Sequence, residues 1–434
     1  MNDIRRTILW VIFGFSMVLL WDKWQVHNGH KATFFPSPAA VTASAPEGGA
    51  SAAQPAARAS TPAAAPAGAA QVPGGEAAAP VARERVTVTS DVLRLEFDGQ
   101  GGSLVHGELL KYPAMEDKAK PFVLFDDSAS RVYQAQTGLI GGAFPTHKTT
   151  MALVPGPREL KDGEDTLQVR FESPDLGGVK LAKTWTLKRG AYDIAVKHEV
   201  VNTGTAAVSP QLYLQLVRDG NKPAGESSFY STFTGPAVYT EAKKYQKVEF
   251  KDIENGKVDI EKSASNGYAA MVQHYFASAW LLADGVQRDL FMRKVDTNLY
   301  AVGMITSVGE IAPGQAKAVD ARLFAGPQVE KTLESLTPGL ELVKDYGMFT
   351  ILSKPLYWLL DKIHGVLGNW GWSIIGLVLL LKIAFYWLNA KAYASMAKMK
   401  AINPKIMEMR ERLKDKPQQM QQEMMRIYRE EKVN

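Results

Sequence analysis

The run from about Trp370 to Asn389, WGWSIIGLVLLLKIAFYWLN, constrains this chain more than any other feature. It holds a single charge, Lys382, in a stretch about as long as the roughly 20 residues that cross a bilayer core. Trp370 and Trp372 stand at one edge and Tyr386 and Trp387 at the other, where a spanning helix carries its headgroup-level aromatics. A second apolar run, Thr7 to Trp21, is uncharged and follows Arg5 and Arg6. It is somewhat short for a span, but Trp24 and a snorkelling Lys23 extend it. A cleaved signal peptide would need small residues just after the apolar stretch. Trp21-Asp22-Lys23-Trp24 are large or charged, and Ala43-Ser44-Ala45 lies too far downstream, so an uncleaved signal anchor is expected. Beyond the second run come Lys391, Lys398, Lys400 and Lys405. Positive residues thus flank the outer ends of both runs, which puts both termini in the cytoplasm and the intervening residues across the membrane, in the periplasm of a bacterium.

The remaining charge fits that division. Of 434 residues, 50 are Lys or Arg and 45 Asp or Glu, a net of +5. From Lys391 onward there are eleven basic and six acidic residues, so the whole excess sits in one short tail. A surface-wide nucleic-acid binder is excluded as a first reading, and no DNA partner is expected. With no cysteine in the chain, disulfide scaffolds, thiol nucleophiles, thiolate zinc sites and cysteine-held iron–sulfur clusters are excluded.

From about Val41 to Pro80 the chain is mostly Ala with scattered Gly and Ser, and its only charges are Glu47, Arg58 and Glu76. Such a stretch has little to pack, and six prolines from Pro46 to Pro80 interrupt any Ala-rich helix, so a disordered or polyproline-like tether is expected. From Arg85 to about Glu330 the pattern becomes short β runs. Examples are Val86 to Thr89, Val92 to Phe97, Leu167 to Phe171, Lys183 to Leu187, Ile194 to Val201, Leu212 to Leu216, Ala269 to Val272 and Ala321 to Phe324, separated by turn clusters such as Asn202-Thr203-Gly204. Many strands with frequent turns predict an antiparallel β-sandwich. The chain's seven histidines form no tight ligand pattern, and His27 and His30, three apart, lie in the tether. No phosphate loop is present, and Gly99-x-Gly101 lacks the third glycine of a dinucleotide fingerprint. No metal, cofactor or catalytic set is therefore expected. The aromatic run Gln273 to Trp280 has two readings, the lining of a sugar-like cleft or a core strand edge with a hydrogen-bonded histidine, and the second is preferred.

Ser353 is placed to cap a helix with an early Pro355, followed by Leu356, Leu359, Leu360, Ile363 and Leu367 at helical spacing. With Tyr357 and Trp358 beside it, this helix is expected in the outer membrane interface rather than packed on the β-domain. Lys382 is the candidate functional residue. It lies about 10 Å from the cytoplasmic end of the expected span, too deep to snorkel freely, and an ionisable group there calls for water or a partner. Tyr386 and Asn389 follow at i+4 and i+7, which predicts a polar face lining a hydrated groove; a structural lysine in a thinned bilayer is the alternative. Met396, Met399, Ile402, Ile406, Met409 and Leu413 then form a three/four-spaced stripe, with Asn403-Pro404 offering a cap and a kink. Pro417 breaks the pattern, and Met420, Met424 and Ile427 resume it, predicting a cytoplasmic helical hairpin. Its basic residues can meet anionic lipid headgroups or ribosomal RNA.

Several of these segments together resemble one family. They are Met1-Asn2-Asp3-Ile4-Arg5-Arg6 ahead of an apolar anchor, Gln273 to Trp280, Ser353 to Leu360, Ala394 to Met399 followed by Pro404-Lys405-Ile406, and Tyr428 to Asn434. Along the whole chain they resemble the YidC/Oxa/Alb family of membrane insertases. The resemblance implies a periplasmic, galactose-mutarotase-like β-supersandwich without catalysis, joined to transmembrane helices and a cytoplasmic hairpin. It also implies a multi-pass protein of the bacterial inner membrane that inserts and helps fold other membrane proteins. Nascent membrane proteins, the Sec translocon, the ribosome and membrane lipids are the implied partners, with no cofactor. Lys382 stands where the family carries a positive residue, commonly arginine; lysine keeps the charge and loses the guanidinium fork. The family continues past Asn434 into further spanning helices, so the chain is expected to be an N-terminal portion. The expected organisation is an anchor at 1–24, a tether at 25–82, the β-domain at 83–342, the interfacial helix at 343–369, the second span at 370–390 and the hairpin at 391–434. Two other classes remain: a membrane-tethered sugar-binding or mutarotase-like module, and a structural scaffold.

Overall fold

A computed structural model describes residues 72, 84–223, 232–346, 350–413 and 417–430. The expected anchor, His27, His30 and all of the tether except Val72 lie outside these residues. The β-domain begins with β1 (Arg85–Thr89), β2 (Leu93–Asp98), β3 (Ser103–Pro113), β4 (Pro121–Ser128), β5 (Arg131–Ile140) and β6 (Ala152–Leu153). It continues with β7 (Thr166–Glu172), β8 (Val179–Lys188), β9 (Asp193–Asn202), β10 (Gln211–Asp219), β11 (Gly235–Thr240) and β12 (Lys244–Lys247). After a short helix α1 (Phe250–Glu254) come β13 (Ser263–Ala264), β14 (Tyr268–Val272), β15 (Phe276–Leu282), β16 (Arg288–Asp296), β17 (Leu299–Ser307) and β18 (Ala316–Pro327). The β runs read from the sequence fall on these strands.

The strands form two antiparallel nine-stranded sheets, in the orders β1-β2-β3-β4-β5-β10-β17-β16-β13 and β12-β11-β14-β15-β18-β9-β8-β7-β6. Period-two burial packs them face to face. Along β8, Val179, Leu181, Trp185 and Leu187 are buried, while the residues on the alternate face are half-exposed or exposed. Leu167, Val169 and Phe171 of β7, with Ile194, Val196 and Val200 of β9, do the same on either side. Aromatic rings fill the space between the sheets: Phe97 lies 5.0 Å from Trp185, and Trp185 lies 6.1 Å from Trp280, centroid to centroid. A smaller apolar cluster covers the other face of the second sheet, where Tyr239, Tyr268 and Phe324 meet Leu333 of α2 (Glu330–Leu336) and Leu340 and Val343 of a following 3-10 turn.

Several inward positions break the apolar rule, among them Lys183 on β8 and His198 on β9, which are fully buried. Lys183 Nζ donates to the carbonyls of Gly101 and Thr137, the latter at 2.7 Å, and His198 Nε2 lies 3.0 Å from Thr137 Oγ1. Burial pulls the Lys183 ammonium down to about 7. Burial, and then the neighbouring Lys183, pull His198 down to about 3; His147 is lowered to about 3 by the same two causes in the same order. His147 is tied to Tyr213, whose hydroxyl accepts the His147 backbone N–H at 2.9 Å.

These groups set how stability varies with pH. Between about 3 and 6.5 the unfolded chain takes up protons on His147 and His198 that the folded chain refuses, so stability falls as pH falls through that window. Between about 7 and 10.5 the unfolded chain holds a proton that folded Lys183 has released, so stability rises with pH there. Thermal melts of the full chain across a pH series are expected to show the β-domain losing a few kcal/mol on acidification. Lys183→Met is expected to flatten the alkaline rise; an unchanged alkaline slope in that variant would refute the assignment.

Candidate functional site

The region carrying Lys382 starts from the end of the sandwich. Helix α3 (Thr350–Leu367) begins three residues before Ser353, and Pro355 lies inside it. The proline removes a hydrogen bond to Ile351, a residue 87% exposed near the helix start, where an open carbonyl costs little. Ser353 is thus an interior residue and not the cap. Gly368 follows with φ +65° and returns its N–H to the His364 carbonyl at 2.8 Å, a left-handed stop. Asn369 then starts α4 (Trp370–Ala384): its Oδ1 accepts the Trp372 N–H at 3.2 Å, and Ser373 Oγ donates to its carbonyl at 2.7 Å. Two helices joined by two residues fold back on one another. The His364 ring stacks on Trp370 at 3.8 Å, and Gly376 leaves room for Ile363 and Leu367.

Glu330, at the start of α2, fastens α3 to the sandwich. Tyr346 Oη donates to Glu330 at 2.7 Å, Lys354 lies 3.5 Å from its carboxylate and Lys344 3.8 Å. Lys344 Nζ also stands 3.5 Å from the Tyr357 ring centroid, and Lys331 pairs with Asp361 at 3.0 Å. Burial, followed by the Glu330 bond, raises the Tyr346 hydroxyl. The helix therefore makes polar contacts to the β-domain while Ile351, Leu352, Trp358 and Val366 remain exposed. Of the two placements that the sequence left open, these contacts are those of a helix packed on the β-domain. The clamp was missed because its members are scattered along the chain from Glu330 to Asp361 with no local motif. Gly368-Asn369 had a readable signature, a glycine stop followed by an asparagine cap.

The continuous helix expected from Trp370 to Asn389 is divided at Phe385. Helix α4 ends at Ala384, α5 (Tyr386–Arg412) follows, and the two are bent by 62°. No single helix among the described residues is long and apolar enough to cross a membrane; this bent pair passes by length and composition together. Phe385, Tyr386 and Trp387 are three consecutive aromatics, whose side chains lose freedom against the preceding helical turn, so an interruption costs little there. The Phe385 N–H still reaches the Leu381 carbonyl at 2.9 Å. Lys382 is consequently in the last turn of α4, Tyr386 opens α5 and Asn389 lies a turn further on. All three are exposed, and the bend divides the face they were expected to share. Around Lys382, Ile374, Ile375, Val378, Leu379, Leu380 and Ile383 are exposed as well. Lys391 sits 3.8 Å over the Trp387 ring.

Helix α5 runs through Pro404 without a cap or break, and α6 (Pro417–Glu430) packs back on it. Ile402, Ile406 and Met409 are buried against Leu413, Met420, Met424, Ile427 and Tyr428, as the stripe predicted, while Met396 and Met399 remain exposed.

The aromatic run Gln273 to Trp280 divides differently. Gln273 and Phe276 exchange backbone hydrogen bonds across a tight turn, and Ala277 to Trp280 are core. His274 Nδ1 lies 2.6 Å from Thr232 Oγ1, the hydrogen-bonded histidine of the preferred reading. A cleft of about 520 Å³ does open there, bordered by Phe233, Lys247, Tyr275 and Asp345. Its carboxylate, Asp345, is engaged by Lys247.

Residues 85–359 match the family described as YidC periplasmic domain, and residues 362–434 match 60Kd inner membrane protein. A protein named membrane protein insertase YidC from Cupriavidus metallidurans is 52% identical over 432 residues, covering 100% of this chain and 77% of that protein. A namesake from Bordetella pertussis is 50% identical over 439 residues, with the same coverage. Among solved structures, a galactose mutarotase related enzyme from Lactobacillus acidophilus is similar at 8% identity and a TM-score of 0.37, over 56% of this chain and 97% of that one.

Removing the carboxylate at Glu330 is expected to loosen α3 from the sandwich. Because the chain has no cysteine, spin labels can be attached through the substitutions S335C on α2 and V366C on α3, which leave every member of the clamp in place. With Glu330→Ala the distance between the labels should broaden, and with Glu330→Gln, which keeps an acceptor for Tyr346, it should broaden less. Equal, narrow distributions in all three backgrounds would show that Glu330 is not the fastening.

Proposed function

The chain belongs to the YidC family of membrane protein insertases, and from that premise we propose how its own residues serve insertion. It is an inner-membrane protein with a periplasmic β-domain, and it acts on membrane proteins. The observation that carries the reading is the exposed apolar surface of α4 ending at Lys382, beside a bend that leads into a basic helical hairpin.

In this reading the hairpin α5–α6 receives the nascent segment, and its exposed Met396 and Met399 offer adaptable apolar contacts. Lys382, with Tyr386 and Asn389 across the bend, attracts acidic or polar parts of the segment to be translocated. The apolar part leaves along α4 into lipid. Each apolar residue reaching the bilayer centre lowers the free energy by about 0.3–0.6 kcal/mol, so a whole span moves downhill without a covalent step. The function thus requires no catalytic residue and no cofactor. The Glu330 clamp holds α3 at the outer interface, where its exposed Trp358 and Val366 meet lipid. The basic tail suits ribosomal RNA and anionic headgroups, and the Sec translocon is a proposed companion. The segments 1–24, 25–82, 83–342, 343–369, 370–390 and 391–434 remain the proposed division of labour.

Lys382→Arg is expected to preserve insertion, since charge and reach survive. Lys382→Ala and Lys382→Glu should impair substrates whose translocated tails carry Asp or Glu, with neutral tails affected less. In a hydrated groove one charge pair contributes on the order of 1–4 kcal/mol at most, so the defect should be partial. Protease protection of matched acidic and neutral tails in cells measures it, and a photocrosslinker at Tyr386 should capture the same substrates. Equal insertion of both tails by Lys382→Glu would overturn the electrostatic role.

A further inference from the structure

The first sheet carries a socket on the face turned away from the inter-sheet core. There β10 presents Tyr213 and Gln215; the registers set Gly138 of β5 and Ile305 of β17 beside Tyr213, and Gly303 of β17 beside Gln215. A methyl group at Gly138 would come within 2.4 Å of the Tyr213 hydroxyl, and one at Gly303 within 2.7 Å of Phe291 Cζ. The two glycines therefore let aromatic rings lie across the strands. Ile140, Tyr213, Phe291 and Ile305 close around one further residue, Val72, which is 5% exposed. Arg293 of β16 donates Nη1 to the Val72 carbonyl at 2.7 Å and sets its guanidinium 5.5 Å from the Phe291 ring.

The socket is built and held from behind. Arg293 Nη2 lies 3.4 Å from Gln215 Oε1. Gln215 donates to Gln136 at 2.8 Å, Gln136 to Gln134 at 2.8 Å, and Gln134 to Asp127 at 2.7 Å. That ladder turns the Gln215 oxygen toward the guanidinium. The socket thus accepts one aliphatic side chain and reads one backbone carbonyl, the recognition set for an extended segment without charge. Between Val41 and Val81 the sequence has one aliphatic side chain larger than alanine, prolines apart, and it is Val72.

We propose that this socket is a docking site for the chain's own Ala/Pro-rich tether, anchored at Val72. The sandwich is then held at Val72, ahead of β1. This proposal does not depend on the insertase reading.

The test uses single thiols in the full cysteine-free chain in detergent. V72C places a small, apolar thiol in the socket, and A63C serves as the comparison within the tether. V72C is expected to react with a maleimide at least about tenfold more slowly than A63C. Phe291→Ala or Arg293→Gln should bring the two rates together without changing the melt of the sandwich. A separate pair leaves position 72 free of thiol: I305C should label slowly, and Val72→Asp should accelerate it. The proposal is overturned if V72C labels as fast as A63C in a natively melting protein, or if Val72→Asp leaves the I305C rate unchanged. A V72C rate that rises on dilution would assign the socket to a neighbouring copy's tether and also overturn it.

Discussion

Helix α4 exposes apolar side chains around most of its circumference, and nothing in the described protein covers them. Left in water, such a surface would drive association; in lipid it costs nothing, and its backbone groups are already satisfied within the helix. The other parts follow from that placement. In the proposed reading the sandwich stays on one side and the basic hairpin on the other, and the residues at each end of α4 manage the passage between two solvents. Gly368-Asn369 turns the chain at one end, and Phe385 bends it at the other.

The β-domain answers a different constraint. Two large sheets bury their inner faces on one another, and the aromatic layer of Phe97, Trp185 and Trp280 fills the gap. Lys183 and His198 sit between the sheets with Lys183 Nζ on the Thr137 carbonyl and His198 Nε2 paired with the Thr137 hydroxyl. Without such partners each would be expelled or would unfold its strand. The cleft at His274 is a product of the turn between β14 and β15. Among the described residues it holds one histidine beside a threonine hydroxyl and one carboxylate engaged by a lysine.

The domain and the helices that follow it are joined by side chains from separate pieces of chain: Glu330 with Lys344, Tyr346 and Lys354, Lys344 with Tyr357, and Lys331 with Asp361. A helix lying at an interface has few ways to fix its own rotation, because lipid offers no directional contacts. Polar contacts to a rigid sandwich provide that direction. The socket at Val72 provides a second attachment of the same kind, one side chain and one carbonyl against a prebuilt face.

Much of what depends on neighbours along the chain was legible in the sequence, although the cap expected at Ser353 and the break expected at Pro404 were not found. Period-two alternation marked the strands and the sandwich, and three/four spacing marked the α5–α6 seam. The remaining features depend on neighbours in space. The break at Phe385 falls among three consecutive aromatics that make an interruption cheap, but with no proline or glycine nothing in the local pattern requires it. The inward sense of Lys183 could be suspected from its place between Leu181 and Trp185, but its tolerance depends on carbonyls of Gly101 and Thr137, 82 and 46 residues away. Glu330 and Val72 looked like ordinary surface and tether residues. Each acquires its partners only when strands remote in sequence are brought together, and such pairings are set by packing rather than by pattern.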